Sequence, residues 1–178
     1  MNLKYKHLPY VMGAALGIAI SFLSHAADNV SLNFTGTIKA STCDVGAGSL
    51  GQTVQLGSVS TTVFGNPGDV SSAQPFSLVL DCPAGGPDSA SVTFTGTGAS
   101  DPTLLALDAG GTANGVAVRI NNAADGSKID LGTASAVITL ASGINDLKFT
   151  AQYQALVDRP MITAGTADAT AQFTVNYP

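Results

Sequence analysis

A chain of 178 residues is long enough for one domain with a real core and too short for two comfortable ones. Only 11% of it is charged, the formal net charge is −5, and all twelve acidic residues are Asp. That acidic balance argues against nucleic acid or an anionic membrane surface as a partner. Glu and Trp are absent while small residues, Thr and Val abound, a composition that favours an all-β domain over a helical one.

The first 26 residues read as a secretory leader. Lys4 and Lys6 make a basic start, residues 8–23 are largely apolar, and Ser24-His25-Ala26 sets small residues where a signal peptidase needs them. The apolar run is shorter than the roughly 20 residues of a membrane-spanning helix, so cleavage before Ala27 is expected. Five cations then remain against twelve Asp, a mature balance of −7. Both histidines, His7 and His25, leave with the leader.

Strands follow by alternation. Residues 30–38 place Val30, Leu32, Phe34, Gly36 and Ile38 on one face, with Asn and Thr prominent between them. Phe76, Leu78, Leu80 and Cys82 form a second run between Pro75 and Pro83, and Val92 and Phe94 mark a third. Leu104-Leu105-Ala106-Leu107 reads as a short helical turn. Val116, Val118 and Ile120 lie between the turn signals Asn114-Gly115 and Asp125-Gly126. Residues 137–140 are a short run ended by Ser142-Gly143. Leu147, Phe149, Ala151, Tyr153, Ala155 and Val157 make the longest interior strand. The last strand, residues 168–177, turns Ala169, Ala171, Phe173, Val175 and Tyr177 one way and polar side chains the other. Only Pro178 follows, so its edge is expected to lie uncovered and to invite another chain. Short strands with frequent turns predict a sandwich or small barrel.

Catalytic chemistry is hard to assemble from this inventory. Without His there is no Ser-His-Asp triad, Cys-His dyad or histidine zinc site. A pair of Asp could hydrolyse a glycoside, but the Asp residues sit mostly in turns such as Asp101-Pro102 and Asp125-Gly126, where their side chains cap local backbone. No enzyme activity, metal, cofactor or small-molecule substrate is expected. Cys43 and Cys82 are an isolated pair in an exported chain, which reads as a disulfide before a metal site.

The two ends carry the most specific signal. Residues 30–38 open the mature chain and on their own would pass for an ordinary first strand. Gly36 on the apolar face weakens a strand within its own domain, yet suits a bare backbone that must fit against a neighbour. With the cysteine pair, the stretch from Leu104 to Ile120, Gly165 fourteenth from the end and the penultimate Tyr177, the mature chain resembles the pilin subunits of chaperone–usher fimbriae, the type 1 family in particular.

That resemblance implies an immunoglobulin-like β-sandwich lacking its last strand, completed by a donor strand from another subunit. It divides the chain into a leader (1–26), a donor extension running into the first strand (27–38) and a pilin domain (39–178). Val30, Leu32, Phe34, Gly36 and Ile38 become the donor face, Cys43 and Cys82 the family's disulfide, and Gly165, Phe173, Val175 and Tyr177 the groove and its chaperone-pathway motif. The implied partners are other pilin subunits, a periplasmic chaperone and an outer-membrane usher, on a route through the periplasm to a surface fimbrium that supports adhesion. Two other readings remain: a tip adhesin, which would carry a lectin domain ahead of the pilin domain, and a self-contained secreted β-sandwich acting as a binding module.

Overall fold

In a computed structural model of the chain, the described residues are Thr35 and residues 42–178. The leader and, apart from Thr35, the strand at residues 30–38 lie outside them.

The longest alternating runs form the framework. β2 (Gln74–Cys82) pairs antiparallel with β7 (Gly143–Ala155) over its whole length, from Gln74↔Ala151 to Cys82↔Gly143. β4 (Val116–Asn122) lies on the other side of β7, from Val116↔Ala155 to Asn122↔Phe149. Two-residue strands close the sheet, β1 (Asp44–Val45) beside β2 and β5 (Lys128–Ile129) beside β4, giving the order β1-β2-β7-β4-β5. A second, three-stranded sheet runs β6-β3-β8, from β6 (Ile138–Thr139), β3 (Ser89–Gly96) and β8 (Ala171–Asn176). There is no α-helix among the described residues, only three short 3-10 turns.

Alternation dictates the core. Leu78, Leu80, Leu147 and Phe149 from the larger sheet meet Ala90, Val92 and Phe94 from the smaller, all of them buried. Phe76, Phe94 and Phe149 form an aromatic triad with ring centroids 5.1 to 6.1 Å apart. Each such side chain contributes about 1.5–3 kcal/mol on burial. Cys43 and Cys82 are joined in a disulfide. The β1–β2 register, Asp44↔Asp81 and Val45↔Leu80, carries on to set these two directly opposite each other, with Cα atoms 4.1 Å apart.

Three expectations need correction. Leu104-Leu105-Ala106-Leu107 is not a helical turn. Leu105 exchanges backbone bonds with Val118 (3.0 and 2.9 Å) and Ala106 bonds back to Thr97 (2.8 Å), so the stretch is extended and buries Leu104 and Leu105. The turn falls just before it, where Leu104 N–H reaches the Asp101 carbonyl. The long strand stops at Ala155, short of Val157: Leu156 N–H makes the last in-register bond, to the Gly115 carbonyl, and the partner strand then turns away at Gly115 (φ 81°) so that Asn114 bonds to Thr163. β8 begins at Ala171 and not at Asp168, since residues 168–170 bond to the loop around Asp108 in place of β3.

Candidate strand-binding groove

A groove of about 790 Å³ opens between the two sheets. Its floor is apolar, with Phe76, Leu78, Phe94, Leu105, Val118 and Ile120. One rim is residues 51–58 and the other residues 167–173.

The first rim is made by the chain leaving β2. Gly46 N–H still donates to the Val79 carbonyl (2.8 Å), and then the 3-10 turn Ala47–Ser49 lifts the backbone away. The buried Ser49 hydroxyl accepts from the Val79 amide at 2.8 Å, replacing the ladder bond that the departing strand abandons. Beyond it, residues 51–58 make no hydrogen bond among the described residues. Val54 and Leu56 hold the segment by packing against Leu105, Val118 and Ala151. Gly51 and Gly57 sit at its ends with φ of 64° and 73°, values that disfavour any side chain.

The second rim is pinned. Asp108 N–H donates to the Asp168 carbonyl (2.8 Å), and the Asp108 carboxylate accepts from Thr170 N–H (3.1 Å) and from the Thr170 hydroxyl (2.9 Å). The Tyr153 hydroxyl donates to the Ala167 carbonyl at 2.9 Å. Burial pushes the Tyr153 phenol above its ordinary pKa, and the negative charge of Asp168 pushes it further. β8 itself is laddered to β3 from Ser91↔Asn176 to Gly96↔Ala171, while its other edge meets no strand among the described residues. An unpaired strand edge beside an apolar trough is a template for an added strand.

The profile of the fimbrial protein family matches residues 32–178. The chain belongs to that family. It is 36% identical to the type-1 fimbrial protein A chain of Escherichia coli K12, over 98% of this chain and 100% of that one. It is 31% identical to the long polar fimbria protein A of Salmonella typhimurium, over 99% of each. Among solved structures it is similar to a type I fimbria protein of Burkholderia pseudomallei, with a TM-score of 0.59 and 33% identity over 82% of this chain and 96% of that one. The chain is therefore a structural fimbrial subunit that assembles with other subunits at the cell surface, and its two antiparallel sheets are an immunoglobulin-like sandwich with an open side.

In this fimbrial subunit the four residues expected for the groove and its chaperone-pathway motif separate into three groups. Phe173 lines the groove. Val175 and Tyr177, half-buried, pack against the main core, and the Tyr177 hydroxyl points to the Cys43 carbonyl at a long 3.4 Å. Burial also raises the Tyr177 phenol's pKa. Gly165 lies outside the groove lining. It sits where the backbone crosses residues 112–113, and a methyl there would overlap the Thr112 hydroxyl and the Ala113 amide. Val30, Leu32, Phe34, Gly36 and Ile38 are outside the described residues. Sequence reasoning missed the rim at residues 51–58 and the clamp at Asp108. The first had a signal, Val54 and Leu56 alternating between two glycines; Asp108 had none, because its partner Thr170 is 62 residues away.

Proposed function

We propose that this subunit polymerises by strand addition, the groove of one copy taking the N-terminal extension of another. The observation that carries the reading is the apolar groove beside the edge of β8 that meets no strand among the described residues, matched by an alternating extension in the same sequence. Val30, Leu32, Phe34, Gly36 and Ile38 span nine residues, as do Tyr177, Val175, Phe173, Ala171 and Ala169. Laid antiparallel, the two sets face each other position by position. Backbone bonds then supply strength at about 1 kcal/mol net each, and alternate side chains supply register.

On this reading residues 1–26 are removed on export, residues 27–38 are the donor, and residues 39–178 are the accepting domain. A lone subunit exposes its groove, so a periplasmic chaperone fills it first and an outer-membrane usher is where the neighbour's extension takes over. The subunit is non-catalytic and takes no cofactor; its work is mechanical, holding a fibre together for adhesion.

The test is to append residues 29–40 through a flexible linker to the C-terminus of the processed chain. The self-complemented chain should be soluble and markedly more heat-stable, whereas the unmodified one aggregates or is degraded without a chaperone. A stable, soluble monomer from the unmodified chain would sink the reading.

A further inference from the structure

Alternation places the added strand but leaves its register open. A slip of two residues along a period-2 pattern keeps every side chain on its own face. Something else must choose.

Among the described lining residues the carboxylates are Asp108 and Asp168, both where β8 begins, and there is no cation; at the other end of β8 Asp44 stands near the Tyr177 phenol. The two Asp108 oxygens are occupied by the amide and hydroxyl of Thr170. Asp168 is exposed, and its carboxylate makes no hydrogen bond or ion pair among the described residues. In residues 27–40 the only cationic side chain is Lys39, at the C-terminal end of the extension.

We propose that Lys39 of an incoming copy of this chain pairs with Asp168, and that this pair fixes the register of the added strand. The inference rests on the strand-addition reading above. In the antiparallel alignment that sets Ile38 opposite Ala169, Lys39 falls opposite Asp168, and both positions face outward. A two-residue slip moves Lys39 off Asp168 while leaving the alternation intact. An exposed pair contributes little to final affinity; its effect is on encounter, where complementary charge steers orientation and rate.

The experiment uses the full chain as the sole subunit gene in an exporting strain and reads the ladder of multimers that survives detergent without heating. Lys39→Glu and Asp168→Lys should each lower multimer yield about fivefold, because attraction at encounter is replaced by repulsion and joining slows. Combining them reverses the pair and should restore the parent level, which a merely structural role for either residue would not. Either single variant assembling like the parent, or a double variant as poor as the singles, overturns the proposal. Gly36→Leu in the same strain separates the two failures. If it assembles normally, strand addition itself is wrong; if it blocks the ladder while the charge variants do not, only the ion pair is wrong.

Discussion

Replacing Gly165 with Ala adds one methyl group at a point where two backbones cross. The new Cβ would come within 2.6 Å of the Ala113 amide nitrogen and overlap the Thr112 hydroxyl, and the amide cannot rotate aside. Residues 112–113 and 165–166 must part. Three bonds are then at stake: Thr112 N–H to the Thr166 carbonyl (3.1 Å), Ala113 N–H to the same carbonyl (3.0 Å), and Thr166 N–H to the Thr112 hydroxyl (3.0 Å). Overpacking of this kind costs about 1–3 kcal/mol, and each weakened bond adds up to about 1 kcal/mol. We expect Gly165→Ala to destabilise by about 2–5 kcal/mol. At about 3 °C per kcal/mol, the melting temperature of the self-complemented chain should fall by roughly 6–15 °C. Circular dichroism on that chain measures it with the groove filled, so a loss there is a loss of the crossing and not of the joint. Thr112→Ala in the same background removes the hydroxyl overlap but not the amide contact, and should recover only part of the loss. A melting temperature within 1 °C of the parent, or full rescue by Thr112→Ala, would refute the close-approach account.

Removing the disulfide with Cys43→Ser and Cys82→Ser should lower stability by roughly 4 kcal/mol, the entropy of a loop of 39 residues in the chain-entropy view; the urea midpoint of the self-complemented chain checks it. Phe149→Ala, at a fully buried position touching both Phe76 and Phe94, should cost about 3–5 kcal/mol by the same measurement. Hydrogen bonds from the Asn66 and Gly65 amides, from Thr103 and from Ser127 hold the carboxyls of Asp69, Asp101 and Asp125 below their ordinary value of 3.8. Depressed carboxyls stabilise the fold above their unfolded pKa and lose that contribution as pH falls through the folded one. The melting temperature should therefore hold from pH 7 to 5 and drop below about pH 4, and Asp125→Asn should flatten part of that drop. Amides of residues 52–58 should exchange with solvent rapidly in the open subunit and slow on strand addition. β8 amides bonded to β3 should already be slow, and equal protection of both rims in the open subunit would contradict the difference between them.

Local rules carried the sequence reading a long way where one residue type repeats on one face. The face of β8 that carries Phe173 and Val175, the framework strands β2 and β7, and the pairing of Cys43 with Cys82 all follow from period-2 patterning or from composition. Where it failed, the deciding contact was remote. Leu104-Leu105-Ala106-Leu107 has helical composition, but two bonds to Val118 hold Leu105 extended. Asp168 to Thr170 alternate as well as the rest of the last strand, yet Asp108 draws them out of the ladder. Gly165 was visible as a marker and not as a contact, because nothing near it in sequence says that residues 112–113 cross there.

The two rims of the groove are built on different principles, and that difference bears on how a strand can enter. Residues 167–176 are held by a ladder, by the Asp108 clamp and by the Tyr153 hydroxyl, so their unpaired edge is fixed before any partner arrives. Little ordering entropy is then lost on that side, which favours it as the place where pairing begins. Residues 51–58 rest on Val54 and Leu56 alone, between two left-handed glycines. Such a segment can yield as side chains pass beneath it and settle once they are seated. A groove with two rigid rims would demand that the four apolar side chains of the extension enter together, and one with two loose rims would offer no register. One fixed and one yielding rim allows the strand to be read along β8 first and enclosed afterwards, with Asp168 on the fixed rim.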